Sequence, residues 1–178
     1  MTDPVQFMSH FTTVEYAVPE PSALSVRFAG ELAAGRIIGH KCPECGKVYM
    51  PPRGYCPLCV VETTGADEVD VADKGTVTTF SIITPLQYQG QQETDDYVQA
   101  TILLDGADTT MMVAHLDGVA IADVHTGLRV QAVWAPEGER GGAVGSLARA
   151  MGLGEAVTGW VATGEPDTPR EHYAEHIV

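Results

Sequence analysis

His40-Lys41-Cys42-Pro43-Glu44-Cys45-Gly46-Lys47-Val48-Tyr49-Met50-Pro51-Pro52-Arg53-Gly54-Tyr55-Cys56-Pro57-Leu58-Cys59 decides how this chain is read. All four cysteines lie in it, as two Cys-Pro-x-Cys knuckles separated by ten residues. Each knuckle is a tight turn that aims two thiolates at one point, and two such turns complete a tetrahedron around one cation. Zn²⁺ fits best, because four soft sulfur ligands leave no open coordination position. The metal ligands are therefore expected to be Cys42, Cys45, Cys56 and Cys59. Two disulfides, or four unrelated buried thiols, are the competing readings. A closed four-thiolate site is structural and leaves the chemistry of the protein open.

Outward from this stretch, the charge changes sign. From Arg36 to Cys59 there are four cations (Arg36, Lys41, Lys47, Arg53) and one acid, Glu44, within a chain of formal net charge −14. Lysines that keep a ribbon soluble explain this as well as a seat for an anionic small molecule such as a nucleotide phosphate. The overall charge opposes general binding to nucleic acid. The chain has 178 residues and 44% hydrophobic content, enough for a real core. No apolar run approaches the ~20 residues of a membrane-spanning helix. The N-terminus lacks the basic start and apolar stretch of a secretory signal. Free thiols placed for a metal suit a reducing cytoplasm, the expected location.

Before the knuckles, residues 1–20 carry Phe7, Phe11 and Tyr16 without periodicity and read as an arm. Pro21-Ser22 opens a helix whose Leu24, Phe28 and Leu32 recur at i, i+4 and i+8, with Gly35 as its stop. Val48-Tyr49-Met50 is a short strand between the knuckles. Residues 60–74 are acidic and polar and read as a linker. From Gly75 the pattern is β, with strands expected at 76–84, 98–104, 109–116, 128–134 and 157–163 and a turn at Asp105-Gly106. Ala120–Val124 is a candidate helical turn between the third and fourth of these, the arrangement of an OB-fold. Leu147 and Met151 suggest a short helix within Gly141–Gly154. The fold class is thus mainly β: an N-terminal arm and helix (1–35), a rubredoxin-like zinc ribbon (36–62), and a five-stranded OB-fold barrel with a C-terminal tail (63–178).

Helix, Cys42-Pro43-Glu44-Cys45-Gly46, Pro51-Pro52-Arg53, Cys56-Pro57-Leu58-Cys59 and then a barrel resemble the acyl-CoA-associated zinc-ribbon/OB-fold family, formerly a domain of unknown function. Gly75-Thr76-Val77, Gly127-Leu128-Arg129-Val130 and Thr163-Gly164-Glu165-Pro166-Asp167 also fit, so the resemblance covers roughly residues 22–170. The 1–20 arm and the 141–154 insertion depart from the minimal pattern. The resemblance implies an accessory subunit of a thiolase-superfamily protein: a thiolase, an acyl-CoA condensing enzyme, or an aldolase acting on steroid side-chain CoA esters. It implies that the partner carries the catalytic residues, and a symmetric assembly with two copies of each chain is expected. If a CoA ester touches this chain, Arg53 is the first candidate for its phosphates, with Lys47 and Arg36 behind it. Arg53 pairing with Glu44 or a partner carboxylate is the equal alternative.

No catalytic constellation is legible. The sequence lacks Gly-x-Ser-x-Gly, a Walker phosphate loop and His-Glu-x-x-His. His125 near Asp123 invites acid–base chemistry, but a surface loop beside Gly127 is the commoner meaning. His172 and His176 fall four apart on a possible C-terminal helix, beside Glu171 and Glu175, which reads as a solvated face. Asp95-Asp96 reads as a solvated loop. Two other functions remain in view: a single-stranded nucleic-acid binder, which zinc ribbon plus OB-fold suggests, and a rubredoxin-like iron protein using the same cysteines.

Overall fold

The computed structural model describes residues 12–13, 22–85, 95–116, 118–140 and 153–177. The arm aromatics Phe7, Phe11 and Tyr16, and the helix expected around Leu147 and Met151, lie outside the described residues.

The helix begins where expected. The Ser22 hydroxyl accepts the Ser25 amide at 3.1 Å and caps α1 (Ala23–Ala33); such caps contribute about 1 kcal/mol. The apolar stripe buries Phe28 and Leu32 and half-buries Leu24. Gly35 takes φ +81°, and the Gly35 and Arg36 amides turn back to the Leu32 and Glu31 carbonyls. That pair of bonds satisfies the last helical carbonyls and stops the helix.

A three-stranded antiparallel sheet follows. Its central strand is β1 (Ile37–Lys41), flanked by β2 (Val48–Tyr49) and by a strand from beyond the second knuckle. A two-stranded ladder, β3 (Tyr55–Cys56) with β4 (Val61–Glu62), carries the second knuckle. Residues 60–74 are not a linker. After β4, Thr64 and Asp67 form a reciprocal cap on the 3₁₀ turn Gly65–Asp67. Then β5 (Glu68–Val71) returns to β1, pairing Ile37 with Val71 and His40 with Glu68. The acids there belong to a strand whose Val69 and Val71 face inward, and the composition concealed a two-residue alternation.

The barrel is built from β6 (Lys74–Ile83), β7 (Tyr97–Leu104), β8 (Thr110–His115), β9 (Arg129–Trp134) and β10 (Val157–Ala162), in the order β10-β9-β6-β7-β8. A parallel bridge between Leu116 and Trp160 joins the two ends of that order, giving the Greek-key closure of an OB-fold. The expected strands match within about two residues, the ordinary uncertainty of strand ends. On β7, Val98, Ala100, Ile102 and Leu104 are buried and their neighbours only partly, as the alternation requires. The turn between the third and fourth barrel strands is a 3₁₀ turn, Ile121–Asp123.

One hydrophobic core runs through the molecule. Phe28 and Leu32 of the helix, Ile37, Ile38 and Met50 of the ribbon, and Val77, Ile102, Leu104, Val130 and Trp160 of the barrel form a single buried cluster. The turn before β8 adds polar stitching. Asp108 receives the Val48 amide on its carboxylate and gives its own amide to the Val48 carbonyl, each at 2.8 Å. The Thr109 hydroxyl accepts from the Met50 amide and donates to the Met50 carbonyl, each at 2.9 Å.

The tail after β10 lies on the barrel. Thr168 gives its amide to the Gly127 carbonyl, and its hydroxyl bonds that of Thr76 at 2.7 Å. Lys74 and Arg129 both reach Glu165. His172 and His176 are on successive 3₁₀ turns (Arg170–His172 and Ala174–His176), not on one helix. Tyr173 between them is buried, with its hydroxyl beside Gly127, and this packing breaks the helical pattern.

Candidate metal centre

The two knuckles are positioned by short strands. β1 delivers Cys42, and β3 delivers Cys56. Each knuckle closes on itself in the same way. The Cys45 amide points at the Cys42 sulfur at 3.4 Å, and the Cys59 amide points at the Cys56 sulfur at 3.5 Å. The Cys42 and Cys56 carbonyls accept the amides of Gly46 and Val60 at 2.9 Å. Amides directed at sulfur favour the thiolate form.

The sulfur atoms of Cys42, Cys45, Cys56 and Cys59 all lie within 4.8 Å of one another. A tetrahedral ion with metal–sulfur bonds of about 2.3 Å needs edges of about 3.8 Å. Cys45 and Cys56 are separated by 3.8 Å. All four are free thiols, so the disulfide reading is set aside, and their convergence removes the reading as unrelated thiols. The donor set fits a four-coordinate soft ion and cross-links the two knuckles when that ion is bound.

Tyr49 of β2 completes the floor. Its hydroxyl lies 3.5 Å from the Cys56 sulfur. Burial opposes ionisation of Cys56, but the Tyr49 hydroxyl and the Cys59 and Leu58 amides outweigh it and bring the thiol down to about 6. Cys59 moves the other way, to about 12, through its hydrogen bond with Cys45 and its burial. Tyr49 itself rises to about 12, since ionising it would cost the bond to Cys56. Sequence reading placed Tyr49 on a strand but gave it no part in the site; its position between the knuckles was the available signal.

The three cations proposed from sequence separate. Arg36 bonds Glu31 at 2.9 Å and Asp70 at 2.8 Å, inside a network that also joins Arg27 to Glu31 and Glu68. Its guanidinium is held still more firmly in the charged form by Asp70 and Glu31. Arg53 sits over the Tyr49 ring, 5.8 Å from its centroid, and among the described residues it has no carboxylate partner, Glu44 included. Lys47 is half-buried and likewise has no carboxylate partner among the described residues. A cleft of about 480 Å³ beside the first knuckle is lined by Lys41 together with Glu44, Asp67 and Glu68. That lining is of mixed sign, so the local excess of cations does not make this cleft an anion seat.

The histidines have other partners. His40 is buried on β1, with Nδ1 3.0 Å from the Thr63 hydroxyl, and burial lowers its pKa. His115 stacks on Tyr97 with ring centroids 5.2 Å apart. His125 donates from Nδ1 to the Asp123 carbonyl at 2.7 Å and from Nε2 to the Asp167 carboxylate at 2.9 Å. Both ring nitrogens donate only in the imidazolium; the Asp123 carbonyl first, and Asp167 after it, raise the His125 pKa.

A closed OB barrel packed behind a four-thiolate ribbon defines a zinc-ribbon/OB-fold protein. Models for the ChsH2 rubredoxin-like zinc ribbon domain and the ChsH2 C-terminal OB-fold domain match residues 30–62 and 68–135. A DUF35 domain-containing scaffold protein of Methanocaldococcus jannaschii is 35% identical over 101 residues, 55% of this chain and 67% of the relative. The chain belongs to the DUF35 family, in its ChsH2-like form of zinc ribbon followed by OB-fold. Two solved structures share the fold at 23% identity. One is a DUF35-family protein of unknown function from Sulfolobus solfataricus, with TM-score 0.51 over 62% of this chain and 78% of that one. The other is the Ltp2-ChsH2(DUF35) aldolase, with TM-score 0.50 over 67% of this chain and 91% of that one. No helix among the described residues is long and apolar enough to cross a membrane.

Proposed function

We propose that this chain is a zinc-bearing accessory subunit, without catalysis of its own, of a thiolase-superfamily complex acting on CoA esters. The observation that carries the reading is a metal centre with four thiolate donors inside a ChsH2-like ribbon and barrel. Zn²⁺ on Cys42, Cys45, Cys56 and Cys59 would have no open position for substrate, so its work is to hold the ribbon. The described counterparts point the same way: one relative is called a scaffold protein, and one structural match is a component of an aldolase. The partner supplies the reacting groups, and the assembly has two copies of each chain in the cytoplasm.

Within that complex Arg53 is the residue offered to the CoA phosphates. Its guanidinium is exposed, rests on Tyr49 and is not committed to a carboxylate among the described residues. Lys47 stands second. Arg36 stands last, because Glu31 and Asp70 already hold it. Arg53→Ala in the assembled complex should raise the KM for CoA esters roughly ten- to hundredfold, the loss of one charge-assisted contact, with zinc content and assembly unchanged. Steady-state kinetics on the intact complex decides: an unaltered KM assigns the CoA pocket wholly to the partner.

A further inference from the structure

The two knuckles are near copies that differ at the tip and at the residue after the second cysteine. Cys42-Pro43-Glu44-Cys45 is followed by Gly46, and Cys56-Pro57-Leu58-Cys59 by Val60. The Gly46 and Val60 amides donate the same hydrogen bond, to the carbonyl of the first cysteine of their knuckle at 2.9 Å. Both take the left-handed backbone, with φ +75° at Gly46 and +57° at Val60. Glycine holds that conformation freely, whereas a β-branched side chain is strained there. Packing within the chain does not offset the strain, because Val60 is 84% exposed.

Its surroundings repeat the anomaly. Leu58, at the tip of the same knuckle, is 66% exposed and Tyr55 is 52% exposed; the tip of the first knuckle carries Glu44 instead. From Pro51 to Val61 the only charged residue is Arg53, in a chain of net charge −14. Tyr and Arg are favoured at the centres of protein interfaces, and the nearest acid in sequence, Glu62, stands opposite Tyr55 on the β3–β4 ladder.

We infer that the second knuckle, through Tyr55, Leu58 and Val60, is the docking surface for the thiolase-fold partner subunit. This rests on the function proposed above. Charge selects the occupant. A second copy of this chain would bring two strongly acidic molecules together. A membrane surface would require a cluster of cations beside the apolar tip, and Arg53 stands alone in that segment. A CoA-loaded partner instead brings anionic phosphates to the seam, next to Arg53. The strained valine is then retained for the apolar contact it makes across that seam.

The test uses the zinc-loaded full chain and, as probes, each purified thiolase-superfamily protein of the source organism. Calorimetry should find wild-type binding to one of them. L58S should weaken it roughly tenfold or more, and V60G roughly three- to tenfold. In the chain alone, V60G should leave the thermal midpoint unchanged or raise it, so a loss of binding there cannot come from unfolding. E44S on the first knuckle should bind as wild type does. Wild-type binding that L58S and V60G do not weaken, or that E44S weakens equally, overturns the surface while leaving the proposed function intact. No binding by wild type to any probe overturns both. A self-associating chain that V60G renders monomeric makes a second copy the occupant and overturns the partner assignment.

Discussion

The ribbon and the barrel are held together by different forces. The barrel closes on large apolar side chains: Val77, Ile102, Leu104, Val130 and Trp160 are at most 1% exposed. The ribbon sheet lends Ile37, Ile38 and Met50 to the same core, but its knuckles have a separate buried cluster of Cys42, Tyr49 and Cys56, with Cys59 and Val61 packed against it. Three of those five are cysteines of the candidate metal centre. A region cross-linked by an ion does not have to bury its apolar residues, and the ribbon is where Tyr55, Leu58 and Val60 stand in solvent. The difference teaches that metal binding frees surface for association, which a module stabilised by burial of its own apolar residues cannot spare so readily.

The largest test of that contrast is removal of the metal. In comparable zinc peptides the ion supplies of the order of 10 kcal/mol of folding energy. Chelation, or Cys56→Ser, should therefore expose the amides of residues 42–62 to hydrogen exchange, while those of β7 and β9 keep their protection. Knuckle amides that stay protected without metal would contradict a ribbon held by its ion. The reciprocal cut is Trp160→Ala, in the barrel core and at its closing bridge to Leu116. It should cost about 3–5 kcal/mol in denaturant unfolding, with one zinc still bound per folded molecule. A smaller cut falls on the seam. Thr109→Val removes both bonds to Met50 and should cost about 1–3 kcal/mol; the barrel and the metal content should survive, and the midpoint of unfolding measures the loss.

The smallest effect concerns pH and lies on the barrel alone. The His125 pKa is raised in the folded chain by the Asp123 carbonyl and by Asp167. A raised folded value means that the contribution is complete below the ordinary histidine value of about 6.5 and disappears as pH rises through the folded value. The Thr168 amide should therefore lose exchange protection with rising pH. Asp167→Asn should lower the His125 pKa, as read by NMR titration, and flatten that profile, while leaving the knuckle amides unaffected.

How much of this was legible in sequence depended on spacing. The cysteine pairs fixed the ribbon, because both knuckles are local. Val98, Ala100, Ile102 and Leu104 announced β7, because alternation over eight residues is hard to produce otherwise. β5 was missed: Glu68-Val69-Asp70-Val71 is brief, and its acids suggested a solvated linker. Those acids instead meet Arg27 of α1 and Arg36 just before β1, more than thirty residues earlier, a separation that no local pattern reveals. The same holds for Arg36, read as free for a ligand until Asp70 is placed beside it. Thr109 opened an expected strand and Asp108 went without a role, since their partners Val48 and Met50 are about sixty residues away. The i, i+4 spacing of His172 and His176 suggested a helix, but the burial of Tyr173 against the barrel outweighs that pattern.

One pairing has a consequence for how such a chain can change over time. His40, two residues before the first cysteine, lies opposite Glu68, nine residues after the last. The chain between them leaves β1 and re-enters the sheet beside it, touching down once midway, where β2 pairs with β1 and Val48 and Met50 are bonded to Asp108 and Thr109. Topologically the metal-binding segment is therefore a closed excursion, like the long loop of a hairpin. Either knuckle, on each side of β2, can lengthen, shorten or alter its tip without rerouting the helix before it or the barrel after it. Variation in partner choice can accumulate there by insertion and substitution, while the sheet from which the excursion departs keeps the rest of the molecule in register.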